Sequence, residues 1–569
     1  MPRLLPLLLA LAFACTGRIG DAGSEPSGEP GRDDPADPSS PPADEPLPPT
    51  LPPADACADV DPDPGPGVLR RLTHEEYAAT LQAELGVDVT ELLVDLPPDP
   101  RAYGFTNNAK TLIVGVELAE AYLEIAEAAV ARADVGAVVA RHASCADLSA
   151  DCAEQIARAL GARLFRGPVD DAQVARFAAL FEVVRDEGDD FETAAGLVLS
   201  AMLTSPAFLY RLEETPAETV RPVSSHALAT RLAYFLWGAP PDDALLDAAA
   251  RGLLDEPDAL EAEARRLLDD PRARARSERF FEDWFSLAKV PGLTLPEARY
   301  PAFDDALAAA MREESMRFLQ DLAWESRAPM EALYTAEHTF LNPRLAEHYG
   351  LEPEGEGWRR YSLEALPERR GLLTQPGVLA VHAHGAEPSI VHRGLFVLTD
   401  VLCDAVPPPP PSVDATPPEL APGTAQRHAS EERVASGTCG GCHSRFDPIA
   451  YAFDRFDAAG AFRAEDAHGN ALFSDGALHA PDGTVTSFAD AGELAEVLAA
   501  SPRARSCVVR KATQFALGRP LVAADACTVA EVLDDYEARG GRYEDLMLAI
   551  VTHPSFRLIA PSDDTEVAP

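Results

Sequence analysis

From residue 68 onward, apolar residues recur with a helical period. Thr73-His74-Glu75-Glu76 reads as a capping box, with Glu76 at the third helical position. Tyr77, Leu81 and Leu85 follow at a spacing of four, and Gly86 stops the run, which predicts a helix over 73–86. The stretch 112–130 reads the same way. Two amphipathic helices are expected over 152–165 and 170–185, parted by Gly167-Pro168. The stretch 191–210 is more apolar and predicts a central helix. Ser225 can cap a helix over 227–236, with Leu228, Leu232, Phe235 and Leu236 on one face. Further helical stretches are 258–269, 272–287, 303–326 and 529–537. Strand alternation is confined to 472–479 and 484–488, next to the turn pairs Asp475-Gly476 and Asp482-Gly483. No repeat of fixed period appears. The pattern predicts a mainly α protein, a multi-segment helical assembly with a small β-hairpin near 470–490. Its segments are 68–135, 145–212, 222–350, 365–470 and 485–560.

The pattern fails before residue 68. Residues 17–67 hold 14 prolines and 12 acids against only Arg18 and Arg32. Such a stretch buries too little apolar surface to offset its ordering entropy, so 16–67 is expected to be a disordered acidic tether. Residues 1–15 read Met-Pro-Arg, an apolar run over 4–14, then Cys15. That is the layout of a secretion signal, too short to span a bilayer. Cys15 resembles the lipidated cysteine of a bacterial lipoprotein signal. The expected location is the periplasm or the outer-membrane or cell surface, with membrane contact only through a lipid anchor at Cys15. No later run of 18 apolar residues exists.

Charge narrows the partners. The chain carries 93 Asp and Glu against 48 Lys and Arg, a net −45, and has no basic run. Nucleic acid is thereby excluded as a partner. The acidity favours a neutral or basic protein partner over an acidic one. Export also bears on the nine cysteines, because disulfides persist in oxidising compartments. Cys145 with Cys152, and Cys507 with Cys527, are the pairs nearest in sequence. Cys57 and Cys403 remain to each other by elimination.

One chemical motif stands above noise. Residues 439–443 are Cys-Gly-Gly-Cys-His, the attachment pattern of c-type haem. Cys439 and Cys442 would each add to a haem vinyl group, and His443 would reach the iron as proximal ligand. Composition alone predicts about 0.003 such runs in a chain of this make-up, so the run carries signal. The competing readings are a disulfide between the two thiols and half of a zinc site. His428 is the favoured distal ligand, because its segment runs beside the motif; Met547 reads as core. Arg393 and Arg463 are candidate partners for a haem propionate. A second cluster, His382, His384 and His392 with Glu387 nearby, has the residue types of a metal site.

These motifs resemble a family of large exported proteins of planctomycetes and myxobacteria, built from tandem domains of unknown function with a cytochrome-c-like motif. The resemblance rests on Arg70-Arg71-Leu72-Thr73, Gly104-Phe105-Thr106-Asn107-Asn108 and Leu164-Phe165-Arg166-Gly167-Pro168. It continues through Ser205-Pro206-Ala207-Phe208, Arg231–Trp237, Thr339-Phe340-Leu341-Asn342 and Gly371-Leu372-Leu373-Thr374-Gln375. The later marks are Arg393-Gly394, the Pro407–Pro411 run, Cys439–His443 with Asp447-Pro448-Ile449, then Phe515–Arg519 and Cys527. It implies an exported, mainly helical protein with one c-type haem on Cys439, Cys442 and His443, and it implies no settled activity. Tyr234, Phe235 and Trp237 read as core, and Asp447 as a cap or turn residue. Three functions are in play. The first is electron transfer through haem c to a redox partner protein. The second is a non-catalytic surface or envelope binding protein whose motif is a structural disulfide. The third is a metal-dependent enzyme using His382, His384 and His392.

Overall fold

The structure is a computed structural model that describes residues 47–561, apart from 49, 59, 63, 66, 215, 217, 218, 386, 408–422 and 438. The signal-like segment with Cys15, the tether up to residue 46 and part of the proline run at 407–411 lie outside the described residues.

Helices form where the pattern places them. The helix His74–Leu85 carries the Thr73–Glu76 capping box and ends on Gly86 in the left-handed region. Tyr77 and Leu81 are fully buried. Ala150–Leu164 and Asp171–Glu187 follow, the latter capped by Asp170. The apolar stretch expected over 191–210 is two elements. Phe191–Leu203 ends before Ser205, which caps the short helix Pro206–Leu209. Proline at the second position cannot donate into the preceding helix, so the run breaks there. The cap of Ser225–Leu236 is Ser224, which accepts from the Ala227 amide, not Ser225. The hairpin pairs Gly476–His479 with Val485–Phe488, from Gly476 opposite Phe488 to His479 opposite Val485. All sheets among the described residues are two-stranded, which agrees with a mainly α fold.

Two apolar cores organise these elements. The smaller runs from Leu72 to Leu209 and takes in Tyr234. The larger takes residues from 223 to 559 and, from the first segment, Phe105. Phe105 stacks on Phe280 at 5.9 Å and meets Phe515 at 5.4 Å. Each such buried ring stabilises by about 2–3 kcal/mol before entropy is counted. Tyr234 links the cores, its hydroxyl 2.8 Å from that of Thr80.

Two expectations need correction. The tether does not reach residue 67 as a free strand. Leu47 and Leu51 pack against the larger core, the Pro48 carbonyl accepts from Arg510 at 2.6 Å, and Pro64 from Arg519 at 2.9 Å. Prolines lack an amide donor but keep a carbonyl, and buried arginines use it. The disulfides are Cys57–Cys527, Cys145–Cys152 and Cys403–Cys507. The pairs Cys507–Cys527 and Cys57–Cys403 are not formed. The helices Pro502–Leu517 and Ala526–Arg539 run antiparallel, as the Arg505–Glu537 ion pair at 2.8 Å records. Cys507 and Cys527 therefore sit about 12 Å apart along the helix axes, at 1.5 Å per residue. Cys57 instead clasps the start of the second helix.

The Cys57–Cys527 bond closes a separation of 470 residues. Replacing both with Ala is expected to lower unfolding stability by about 2–5 kcal/mol, read as a lower urea midpoint, and to speed protease cleavage within 47–67. An unchanged midpoint and digestion pattern would show that the clasp contributes nothing.

Candidate functional site

The Cys-Gly-Gly-Cys-His run opens the helix Gly440–Ala450, with Cys439 at its cap position. A second helix, Gln426–Ala435, lies against it. The turn between them is tight: the Gly440 amide donates to the Ser436 carbonyl at 2.8 Å, and the His443 amide to that of Cys439 at 3.1 Å. A Cβ on Gly440 would stand 2.3 Å from the Val434 carbonyl oxygen, whereas one on Gly441 would meet nothing within 4 Å. Glycine is thus required at the first intervening position and not at the second. The far end of the helix is pressed equally close. A Cβ on Gly394 would meet the Phe446 carbonyl at 2.2 Å, and one on Gly476 the Pro448 carbonyl at 2.3 Å. These contacts fix the helix between Ile390–Phe396 and the hairpin.

Cys439 is half-buried, Cys442 is exposed, and both are free thiols. The disulfide reading of the motif is not formed. His443 is oriented from below. Its Nδ1 lies 3.1 Å from Oδ1 of Asp447, one turn along the helix. Asp447 has no solvent exposure. Its other oxygen accepts from the Ser430 hydroxyl at 2.5 Å and from Arg433 at 3.2 Å. The Ser430 hydroxyl also meets Tyr451 at 3.1 Å, and Arg427 lies over the Tyr451 ring. A carboxylate on Nδ1 sets the tautomer and ring angle and leaves Nε2 free as a ligand, the usual arrangement around a metal-bound histidine. Two free thiols a helical turn apart, with such a histidine beside them, fit a covalent haem. Asp447 is neither a cap nor a turn residue; its spacing of four from His443 inside a helix is the sequence signal of this contact.

The other expected haem contacts are elsewhere. His428 is an exposed residue paired with Glu432. It lies on the face of Gln426–Ala435 opposite Ser430 and Arg433, so it points away from the motif helix. Arg393 is buried and the two terminal nitrogens of its guanidinium serve the carbonyls of Phe453, Phe456, Leu379 and Asp457, which leaves only its buried Nε without a partner. Arg463 is half-buried near Asp454, whose carboxyl burial pushes up to about 6. Met547 is core.

The three upstream histidines do not converge. His384 and His392 face each other with ring centroids 5.9 Å apart. His382 stacks on Phe396 at 4.2 Å instead, and Glu387 is paired with Arg299. Among the described residues no three His, Cys, Asp or Glu side chains could hold a metal. The metal-enzyme reading loses its site. Burial pushes the His382 imidazole down to about 3.

This arrangement defines a helical body that presents a cytochrome-c-like motif on a braced helix. Five family models match in order, each described as a protein of unknown function: DUF1587 over 70–135, DUF1595 over 152–213, DUF1592 over 223–351, DUF1588 over 369–466 and DUF1585 over 484–556. The chain thus carries five tandem domains of unknown function. The motif falls in the fourth. No curated protein and no solved structure matches it. No helix among the described residues is long and apolar enough to cross a membrane.

Two measurements check this geometry. Asp447→Ala leaves Ser430, Arg433 and His443 without their common acceptor. It is expected to cost about 3–5 kcal/mol in urea unfolding, whereas Gly441→Ala is neutral and Gly440→Ala destabilises. Separately, His382 is held neutral when folded and gains a proton near pH 6.5 when unfolded. Its contribution is present above pH 6.5 and is lost as pH falls from there toward 3. His382→Phe should therefore unfold less steeply than wild type below pH 6.5. Parallel acid profiles would contradict the buried neutral imidazole.

Proposed function

We propose that the chain is an exported monohaem c-type protein that passes electrons to a protein partner. The reading rests on one observation above others: Asp447 holds Nδ1 of His443 beside two unpaired thiols. Cys439 and Cys442 would bind the haem through thioether bonds, and His443 would supply the proximal nitrogen. When bound, haem supplies a one-electron redox centre. The chain's part is to hold and tune. The Asp447 carboxylate draws on the Nδ1 proton and makes the imidazole a stronger donor, which favours the oxidised state. Ser430 and Arg433 keep that carboxylate in place. The three disulfides support an oxidising compartment, in keeping with a location in the periplasm or at the cell surface through a lipid on Cys15. The net charge of −45 favours a neutral or basic redox partner.

The test is a pyridine haemochrome spectrum, with a haem stain after denaturing electrophoresis, on protein made in a host with haem-attachment machinery. A covalent c-type spectrum is expected, and it should vanish in Cys439→Ala/Cys442→Ala. In the haem-loaded protein, Asp447→Asn should raise the reduction potential, read by redox titration. A colourless wild-type protein under these conditions rejects the proposal.

A further inference from the structure

Far along the chain from the motif, arginines crowd a small cavity. It has a volume of about 60 Å³ and is lined by Arg70, Arg211, Arg231 and Arg519, with Glu213 and the backbone around Gly65. Its walls come from four of the five domains, all but the one that carries the Cys-Gly-Gly-Cys-His motif. Some of these arginines are fully employed. Arg231 holds Glu213 at 2.5 and 2.7 Å and the carbonyls of Phe556 and Leu558. Arg519 holds both oxygens of Asp525 at 2.8 Å and the carbonyls of Pro64 and Pro520. Next to the lining, Arg276 holds Glu76 at 2.9 Å.

Arg70 and Arg211 are not employed in this way. Arg70 is 5% exposed. It donates once, to the Ala516 carbonyl at 3.2 Å. Its Nε and Nη2 have no hydrogen-bond partner, and the nearest carboxylate, Glu76, stands 3.8 Å away. Arg211 is 7% exposed. Among the described residues it faces the Tyr234 ring at 5.4 Å and forms no ion pair within 4 Å. Both cations feel Glu76 and Glu213, but Arg276 also shares Glu76 and Arg231 already occupies Glu213. Among the described residues, the cluster Arg70, Arg211, Arg231, Arg276 and Arg519 has Glu76, Glu213 and Asp525 against it. Positive charge is left over in a buried place, inside a chain of net −45. Burying an unpaired cation is costly, and native structures avoid it unless a counter-charge completes the site.

Two glycines support the same geometry. A Cβ on Gly518 would fall 2.8 Å from the Arg70 guanidinium, and one on Gly65 would fall 2.1 Å from that of Arg519. Backbone without side chains lies against both guanidinium groups, so a larger residue at either position would displace them.

We propose that this cavity is a binding site for a small oxyanion, a phosphate or a compact carboxylate, gripped by Arg70 and Arg211. Planar guanidinium donors match the paired oxygens of such groups. The volume admits a phosphate-sized anion. Binding would lock four domains together at one point.

The experiment is calorimetric titration of the full-length protein with inorganic phosphate and, in a separate arm, malonate, against sodium chloride at matched ionic strength. Saturable binding with one site per chain is expected for at least one oxyanion, with a rise in melting temperature that chloride does not reproduce. Arg211→Met keeps an apolar stem on Tyr234. It should weaken that binding at least tenfold, yet leave the melting temperature in chloride unchanged or higher. A wild type that shows no saturable binding to either anion overturns the proposal, whether or not the variant folds. Unaltered affinity in a folded Arg211→Met overturns it as well.

Discussion

The middle of the helix Pro502–Leu517, from 506 to 513, is buried on every side, and segments far apart in sequence are tied to the helix. Asn107 donates to the Phe515 carbonyl at 2.8 Å, and the Ala109 amide to that of Gly518 at 2.8 Å. Arg70 reaches Ala516, and Gln514 donates to the Tyr103 carbonyl at 2.6 Å. Lys511 pairs with Asp400 at 2.7 Å, Cys507 is bonded to Cys403, and Arg510 holds the Pro48 carbonyl. Each contact satisfies a polar group that would be orphaned if the helix moved. The consequence is cooperative: the first, fourth and last domains, and the residues before them, cannot shift independently. Five sequence domains thus behave as one folded body built on two cores.

That constraint explains what the sequence made legible. Helices with one apolar face could be read directly, because half of each still meets water. Thr73 with Glu76, Asp170 and Gly86 did what capping chemistry says they should. The central helix was hidden because it mixes Arg510, Lys511, Ser506 and Thr513 with its apolar residues. All of these are buried, so no periodic contrast survives. The cysteine pairs failed for a related reason. Proximity in sequence stands for proximity in space only within one element, as for Cys145 and Cys152. Between antiparallel helices it inverts. His428 is close to the motif in sequence, but a neighbour in sequence need not share a face.

The site was legible in its cysteines and histidine, and not in what supports them. Asp447 is one of 93 acids, and in such a background a single carboxylate says nothing by type. Its meaning comes from being fully buried among Ser430, Arg433 and His443. A buried carboxylate with those partners holds two helices and a ring in a fixed relation, which is how a rigid body positions a reactive group. The glycines at 394, 440 and 476 add the complementary constraint. They let backbone meet backbone, so the motif helix cannot slide without steric conflict.

This division bears on why a single redox motif would sit in so large a body. Most residues that mark the resemblance have structural duties. Arg166 caps the carbonyls of Ala207, Phe208 and Tyr210. Trp237 donates to Leu267 and lies under Arg272. Thr339 donates to the buried Glu314, Asn342 caps the next helix, and Arg519 clamps Asp525. Even Asp447 and Gly440 are explained by packing and hydrogen bonding. Cys439 and Cys442 differ. Their thiols are unpaired while six other cysteines are bonded, and they stand at the surface end of a braced helix. Free thiols in a chain stabilised by disulfides are a hazard of exchange. Covalent attachment of haem would remove that hazard by consuming both of them, and under that proposal the body around them would serve to hold the attachment site fixed.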